Sequence, residues 1–221
     1  MTKPKRAPDE IPLPDPPDVT GDLPLLEDAA ALRTAVEPLR EMRLEATSLA
    51  GIARPGLRLE SCVLKSVNLS QAKLPGLRLR DVRLESCDLS NLEAPRLEAV
   101  RVEFVNCRMT GFRASEADCR NIRIMEGDQR YAQLRFGKFQ FAWFESCVFE
   151  DADFYGADLR GARFQKCSLR NAELSEAKLT DADLRGSQVE GVRLNAFDIA
   201  GATVDASQAL LFAPLLGIRI R

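Results

Sequence analysis

The chain has 221 residues, with 31 Lys and Arg against 33 Asp and Glu, and it has no histidine. A net charge of −2 removes any general case for nucleic-acid binding, and the missing imidazole removes the commonest general base and metal ligand. No stretch approaches the run of about 18 apolar residues that a membrane-spanning helix needs, so a cytoplasmic protein without membrane contact is expected.

Residues 1–19 are Pro-rich and charged, with no apolar run of the kind a secretory signal carries. Their composition predicts disorder. Residues 20–43 read as an N-terminal cap, in which residues 25–36 place apolar side chains at helical spacing and predict a short helix.

From Leu44 to Val204 the chain keeps one frame. Every fifth residue is a position for a large apolar side chain, and 27 of these 33 residues are Leu, Phe, Ile, Val or Met. The exceptions are Arg54, Ala94, Ala99, Ala114, Cys119 and Gln129. A period of five is neither that of a helix, about 3.6, nor that of a strand, about 2. A short fixed repeat indicates a solenoid, whose units bury their apolar side only by stacking on one another.

Two residues before each large position lies a second row of small or apolar residues, and five of the six cysteines (Cys62, Cys87, Cys107, Cys147, Cys167) fall in it. Cys119 falls in the large row, so all six thiols are predicted to point inward. None forms a C-x-x-C pair and no histidine completes a zinc set, so no metal or other cofactor is expected. A longer period is superposed: residues 54–73 and 74–93 both start Pro-Gly-Leu-Arg-Leu at their second position, and Pro95 recurs 20 residues after Pro75. Twenty divided by five gives a coil with four faces. Residues 44–205 then make about eight coils at ~4.8 Å each, a rod on the order of 40 Å long.

Beyond the repeat, Asp205 or Ser207 can cap a helix over residues 208–213, which Pro214 and Gly217 terminate. The tail of residues 206–221 carries Leu210, Leu211, Phe212, Leu215, Leu216 and Ile218. It can plug the last coil, or it can also form a twofold dimer interface.

The pattern small-polar-large-x-x, as in Ala157-Asp158-Leu159-Arg160-Gly161 and Ala182-Asp183-Leu184-Arg185-Gly186, resembles the pentapeptide-repeat family over about residues 42–205. The resemblance implies an all-β fold, a right-handed quadrilateral β-helix with four pentapeptides per coil, here with short terminal capping helices. It favours a homodimer through the C-terminal tail, as in Qnr- and MfpA-type members. Those members, and the albicidin- and cystobactamid-resistance proteins, bind DNA gyrase and protect it from poisons or modulate it.

No catalytic constellation is visible. There is no Gly-rich phosphate loop, G-x-S-x-G or Walker motif, and the carboxylates fall at outward positions. An enzyme is not expected; recognition remains, and two features suggest where.

Residues 145–205 hold 12 acids against seven bases, whereas residues 96–143 hold nine bases against six acids. Asp153, Asp158, Glu173, Asp181, Asp183 and Asp198 could therefore present negative charge at regular spacing, as DNA does, to gyrase or another type II topoisomerase; equally, they could be an ordinary solvated face. The second feature is a set of outward aromatics around one coil, Tyr131, Phe136, Phe141 and Trp143, preceded by the weakest stretch of the repeat, Gly127-Asp128-Gln129, where a loop could leave the coil. Two functions stand: a gyrase-directed DNA mimic, or a generic protein-interaction scaffold that uses the aromatic belt.

Overall fold

The computed structural model describes residues 13–19, 21–26, 32 and 37–219, except for the side chain of Leu216. Seven strands form one parallel sheet in chain order: β1 (Leu39–Glu45), β2 (Arg58–Lys65), β3 (Arg78–Glu85), β4 (Glu98–Val105), β5 (Asp118–Met125), β6 (Lys138–Glu145) and β7 (Arg163–Gln165). The register advances by 20 residues at every step, so that Leu44, Leu64, Leu84, Phe104, Ile124, Phe144 and Phe164 form one ladder. Single bridges extend the sheet from Arg163 to Asp183 and Thr203. Others trace the remaining sides, for example from Ser48 through Asn68, Asp88, Arg108, Asp128, Val148 and Ser168 to Gln188. The expected parallel β-solenoid is what the backbone forms.

A corner every five residues makes the coil square. From Glu41 to Gly191 every fifth residue is left-handed, with φ between 48° and 71°. Many corners are type II turns, as at Leu49-Ala50-Gly51-Ile52, where the Ile52 amide donates to the Leu49 carbonyl at 3.2 Å. Only glycine takes this conformation freely; other residues lose roughly 1–2 kcal/mol each. Stacking offsets that cost, because each coil's amides donate to the carbonyls of the next: Leu49 to Asn68 and Leu69 to Asp88, both at 2.7 Å.

The two inward rows fill the lumen. Leucines dominate its N-terminal half; in the C-terminal half Phe139, Phe144, Phe149, Phe154 and Phe164 interlock, with centroids 5.2 Å apart for Phe144–Phe149 and 5.4 Å for Phe149–Phe154. Alanines at 152, 157 and 162 make room for these rings. Two internal voids measure ≈ 20 and ≈ 30 Å³, about the volume of one water, so the lumen has no room for a ligand.

All six cysteines are buried and free. Burial pushes the Cys119 thiol up to about 12 and also raises that of Cys62, which leaves them protonated and inert at neutral pH.

No loop leaves the coil at residues 125–130. Asp128 pairs with Arg108 on one side and Val148 on the other. The weak repeat is instead accommodated inside: Gly127 leaves a space that the Gln129 side chain fills, since a Cβ at 127 would lie 1.9 Å from Gln129 Nε2. That nitrogen donates to Met109 Sδ at 3.6 Å, whereas Gln129 Oε1 is buried without a partner.

The ends depart from the sequence expectation in detail. Leu25 and Leu26 do not begin a helix. Leu25 bridges Arg43 in parallel, the Leu26 amide donates to the Arg43 carbonyl at 2.8 Å, and the Arg43 amide donates to Pro24 O at 2.9 Å. The first coil has an open edge whose polar groups need partners, and these residues supply them. Leu32 is helical and buried against Leu44, Leu59 and Leu64; the rest of the expected N-terminal helix lies outside the described residues. Of the Pro-rich residues 1–19, the described residues 13–19 lie on the coil surface: the Asp18 amide donates to Asp81 at 3.0 Å and Asn121 Nδ2 donates to Asp15 at 3.0 Å.

At the other end, helix α1 (Ala206–Phe212) is capped by Asp205 and continues as a 3₁₀ turn, Ala213–Leu216, closed by left-handed Gly217. Buried Gln208 accepts from the Asp205 amide and donates to the carbonyls of Leu184 and Ser187, both at 2.6 Å, closing the last coil.

Phe149→Ala removes a ring at the centre of the aromatic stack and should lower the unfolding free energy by about 3–5 kcal/mol, read from denaturant midpoints. The Ser207 hydroxyl and the Gln208 and Gly186 amides hold the Asp205 carboxyl down to about 2. A lowered folded pKa stabilises above the ordinary carboxylate range and loses that stabilisation as pH falls towards 2. The C-terminal helix should therefore release on acidification in that window, seen as exchange broadening or rapid hydrogen exchange at Gln208 and Ala209, and Asp205→Asn should flatten the response.

Candidate functional site

The 20-residue register assigns every outward residue to a side or corner of the rod. The six acids proposed as a partner-binding face occupy several sides. Asp153 and Glu173 bridge one another, Asp158 bridges Lys178, and Asp183 bridges Arg163 on another side. Four are also held by arginine: Asp153 by Arg135 at 3.5 Å, Asp158 by Arg160 at 2.6 Å, Glu173 by Arg193 at 2.8 Å and Asp183 by Arg185 at 2.8 Å. The Arg160 guanidinium keeps the Asp158 carboxyl below its ordinary range. Asp181 is an exposed corner residue. Asp198 turns back to accept from the Asn195 amide at 2.8 Å and does not bridge Lys178. These charges are spread around the rod and largely neutralised locally.

Three of the four aromatics expected to point outward are exposed. Tyr131, Phe136 and Phe141 are 58 %, 53 % and 46 % exposed and stand on three successive left-handed corners of one coil. Ten residues is half a coil, so Tyr131 and Phe141 lie on opposite edges. Phe136 forms a compact group: its ring meets Tyr155 edge-on at 5.6 Å and lies over Gly156, where a Cβ would come within 2.7 Å. The Arg135 guanidinium sits 4.8 Å from the Tyr155 ring and 5.9 Å from the Phe136 ring. Trp143 is different. It is half-buried, sandwiched between Arg123 at 6.0 Å and Arg163 at 5.4 Å, and its indole nitrogen has no partner. Asp128 pairs with Arg130 at 2.6 Å, while Gly127 and Gln129 face the lumen and cannot meet a partner.

In the tail, Leu210, Leu211, Leu215 and Ile218 are exposed, whereas Phe212 turns partly inward against the core. The side chain of Leu216 lies outside the described residues. Sequence reasoning overlooked two aromatics. Tyr155 lies 20 residues beyond Arg135, and that arithmetic would have paired them. Phe197 occupies a small-row position, and a ring there does not fit; the chain turns out at residues 195–201 and leaves it 91 % exposed.

An open groove of ≈ 450 Å³ near the C-terminal end is lined by Arg163, Gln165, Lys166, Asp183 and Arg185, without a hydroxyl or thiol nucleophile. Among the described residues no three metal-ligating side chains come together, and no helix is long and apolar enough to cross a membrane.

Comparison with protein families matches pentapeptide repeats, in eight copies, to residues 58–92, 132–171 and 157–195. The chain is a pentapeptide-repeat protein. Comparison with curated protein sequences gave no match. Solved structures similar to this pentapeptide-repeat rod include a trypsin-treated form of QnrB1, a plasmid-mediated fluoroquinolone resistance protein, at 22 % identity over 84 % of this chain and 100 % of that one, with a TM-score of 0.34. Another is HetL of Nostoc sp. strain PCC 7120, a pentapeptide repeat protein involved in heterocyst differentiation regulation, at 19 % identity over 75 % and 93 %, TM-score 0.28. Rfr23 of Cyanothece 51142 aligns at 16 % identity over 74 % and 91 %, TM-score 0.24.

If the corners cost backbone strain, Tyr131→Asn should hold or raise stability, by up to about 1 kcal/mol. Gly156→Ala should lower it, because its φ is +65° and the added methyl strikes the Phe136 ring. Thermal midpoints of the two variants check both signs.

Proposed function

We propose that this pentapeptide-repeat rod is a non-catalytic binding protein that docks a protein partner on its aromatic coil, at the edge made by Arg135, Phe136 and Tyr155. The observation that carries this reading is the placement of bulky rings at exposed left-handed corners, where glycine, asparagine or aspartate would cost less. The corner backbone is the same whatever side chain it carries, so the exposed rings are not needed for the coil, and exposed aromatics beside arginine are the usual anchors of an interface.

A second reading keeps DNA gyrase as the partner, engaged through charge by a DNA-mimicking rod that protects it from poisons. The acidic excess of residues 145–205 and the exposed apolar side chains of the C-terminal helix, which would join two rods as a homodimer, favour it. The arginine partners of Asp153, Asp158, Glu173 and Asp183 weigh against charge mimicry.

A gyrase supercoiling assay with and without a poison separates the readings. Loss of the effect in Tyr131→Ser/Phe136→Ser/Phe141→Ser, with retention in Asp153→Asn/Asp158→Asn/Asp183→Asn, is the outcome for aromatic docking on gyrase; the reverse is the outcome for charge mimicry. No effect of micromolar wild-type protein removes gyrase from both. A solution mass of twice 24.5 kDa, reduced to the monomer by Leu211→Glu/Leu215→Glu, is expected of the dimer.

A further inference from the structure

The segment of residues 13–19, Leu-Pro-Asp-Pro-Pro-Asp-Val, runs along the axis of the rod rather than around it. Its two polar contacts, Asn121 with Asp15 and Asp18 with Asp81, fall on one edge two coils apart. Between them on the same edge is Arg101, which donates through Nε and Nη2 to the two carboxylate oxygens of Asp81 at 2.5 and 2.6 Å. Burial works against the ionised form of Asp81, but Arg101 and the Asp18 amide outweigh it and hold the carboxyl below its ordinary range. Asp81 is only 5 % exposed and Pro14 is buried. The edge is therefore covered.

The fit is one of pitch. Three residues of polyproline II rise about 9.3 Å and complete one turn, so residues three apart face the same way. Two coils rise about 9.6 Å. Asp15, through its carboxylate, and Asp18, three residues on and through its backbone amide, thus meet every second corner of the edge. Pro14, Pro16 and Pro17 favour that conformation before binding and need no amide partners. Charge agrees as well: the Arg101 guanidinium is stabilised by Asp15 and Asp18 in addition to Asp81. The next corner of the edge beyond Asn121 is exposed Phe141, with Arg120 at 5.9 Å from its ring.

We propose that the edge formed by Asp81, Arg101, Asn121 and Phe141 is a docking groove for an extended, acidic, proline-bearing peptide of a partner protein, and that residues 13–19 are its resident occupant, displaced when the partner binds. Among the described residues the strap is held by two hydrogen bonds, the buried Pro14 ring and half-buried Pro17 and Val19. Contacts of this kind are individually weak, so the strap belongs to the low-stability end of the molecule. A partner peptide that reproduces these contacts and also packs on exposed Phe141 would compete with the strap. The inference does not depend on gyrase or on the Phe136 edge.

The test uses the full chain and a fluorescent peptide copying residues 9–19. Asp15→Ala removes the acceptor for Asn121, and Asp18→Pro removes the amide that reaches Asp81 while keeping the extended conformation, so the double variant unlatches the strap. By anisotropy, the unlatched chain is expected to bind the peptide at least tenfold more tightly than the wild type. Adding Asn121→Ala should weaken that binding about fivefold, and a peptide with lysine in place of each acid should not bind. Hydrogen exchange of the Asp18 amide in the wild type, slow if the strap is seated, and of the β3–β5 amides in all variants, provides the independent reading. Equal binding by wild type and unlatched chain, no binding by the unlatched chain at millimolar peptide, indifference to Asn121→Ala, or an unprotected Asp18 amide in the wild type would each overturn the proposal.

Discussion

One constraint organises the molecule: a coil satisfies its backbone hydrogen bonds only through the coils above and below it. That forces residues 20 apart into contact and spaces them at the inter-strand distance. Every surface feature inherits this lattice. Unlike charges meet across it, as in Arg40–Glu60, Arg78–Glu98 and Glu93–Arg113, and Glu103 is buried between Arg83 and Arg123 from the coils on either side. Such a ladder blunts charge locally wherever acid and base stack.

The interior was legible from the sequence because hydrophobic burial has a period there. The leucine and phenylalanine ladders, the small row and the inward thiols follow from counting fives, and the four sides follow from counting twenties. The corners were harder to read. Residues as different as Gln71, Arg96 and Phe141 take left-handed φ, since stacking, not local preference, sets their conformation. Gln129 suggested a loop because a polar residue at a core position normally breaks a repeat; Gly127 relieved the conflict by leaving space. The strap escaped notice for a related reason. A Pro-rich, charged stretch has too little apolar surface to fold by itself, and its partners Asp81 and Asn121 are 63 and 106 residues away.

Function resides in the departures from the repeat. The lumen is full and the ends are closed by Leu32, residues 24–26 and Gln208, so what remains available is surface. There the aromatic corners and the strapped edge share the coil of Phe141, while Phe197 and the exposed leucines of the C-terminal helix mark the far end. Neither region carries a side chain that the core needs, so contact at either would leave the lumen undisturbed.

The square coil also makes the protein a rotary dial. Inserting five residues anywhere between Leu44 and Val204 would preserve both inward rows, yet would turn everything downstream by a quarter revolution relative to everything upstream. Inserting 20 would move the same side chains along the axis without turning them. The angle between the strapped edge and the C-terminal tip is thus written as an integer number of pentads, and drift in length among such rods would change which surfaces face the same way long before it changed whether they fold.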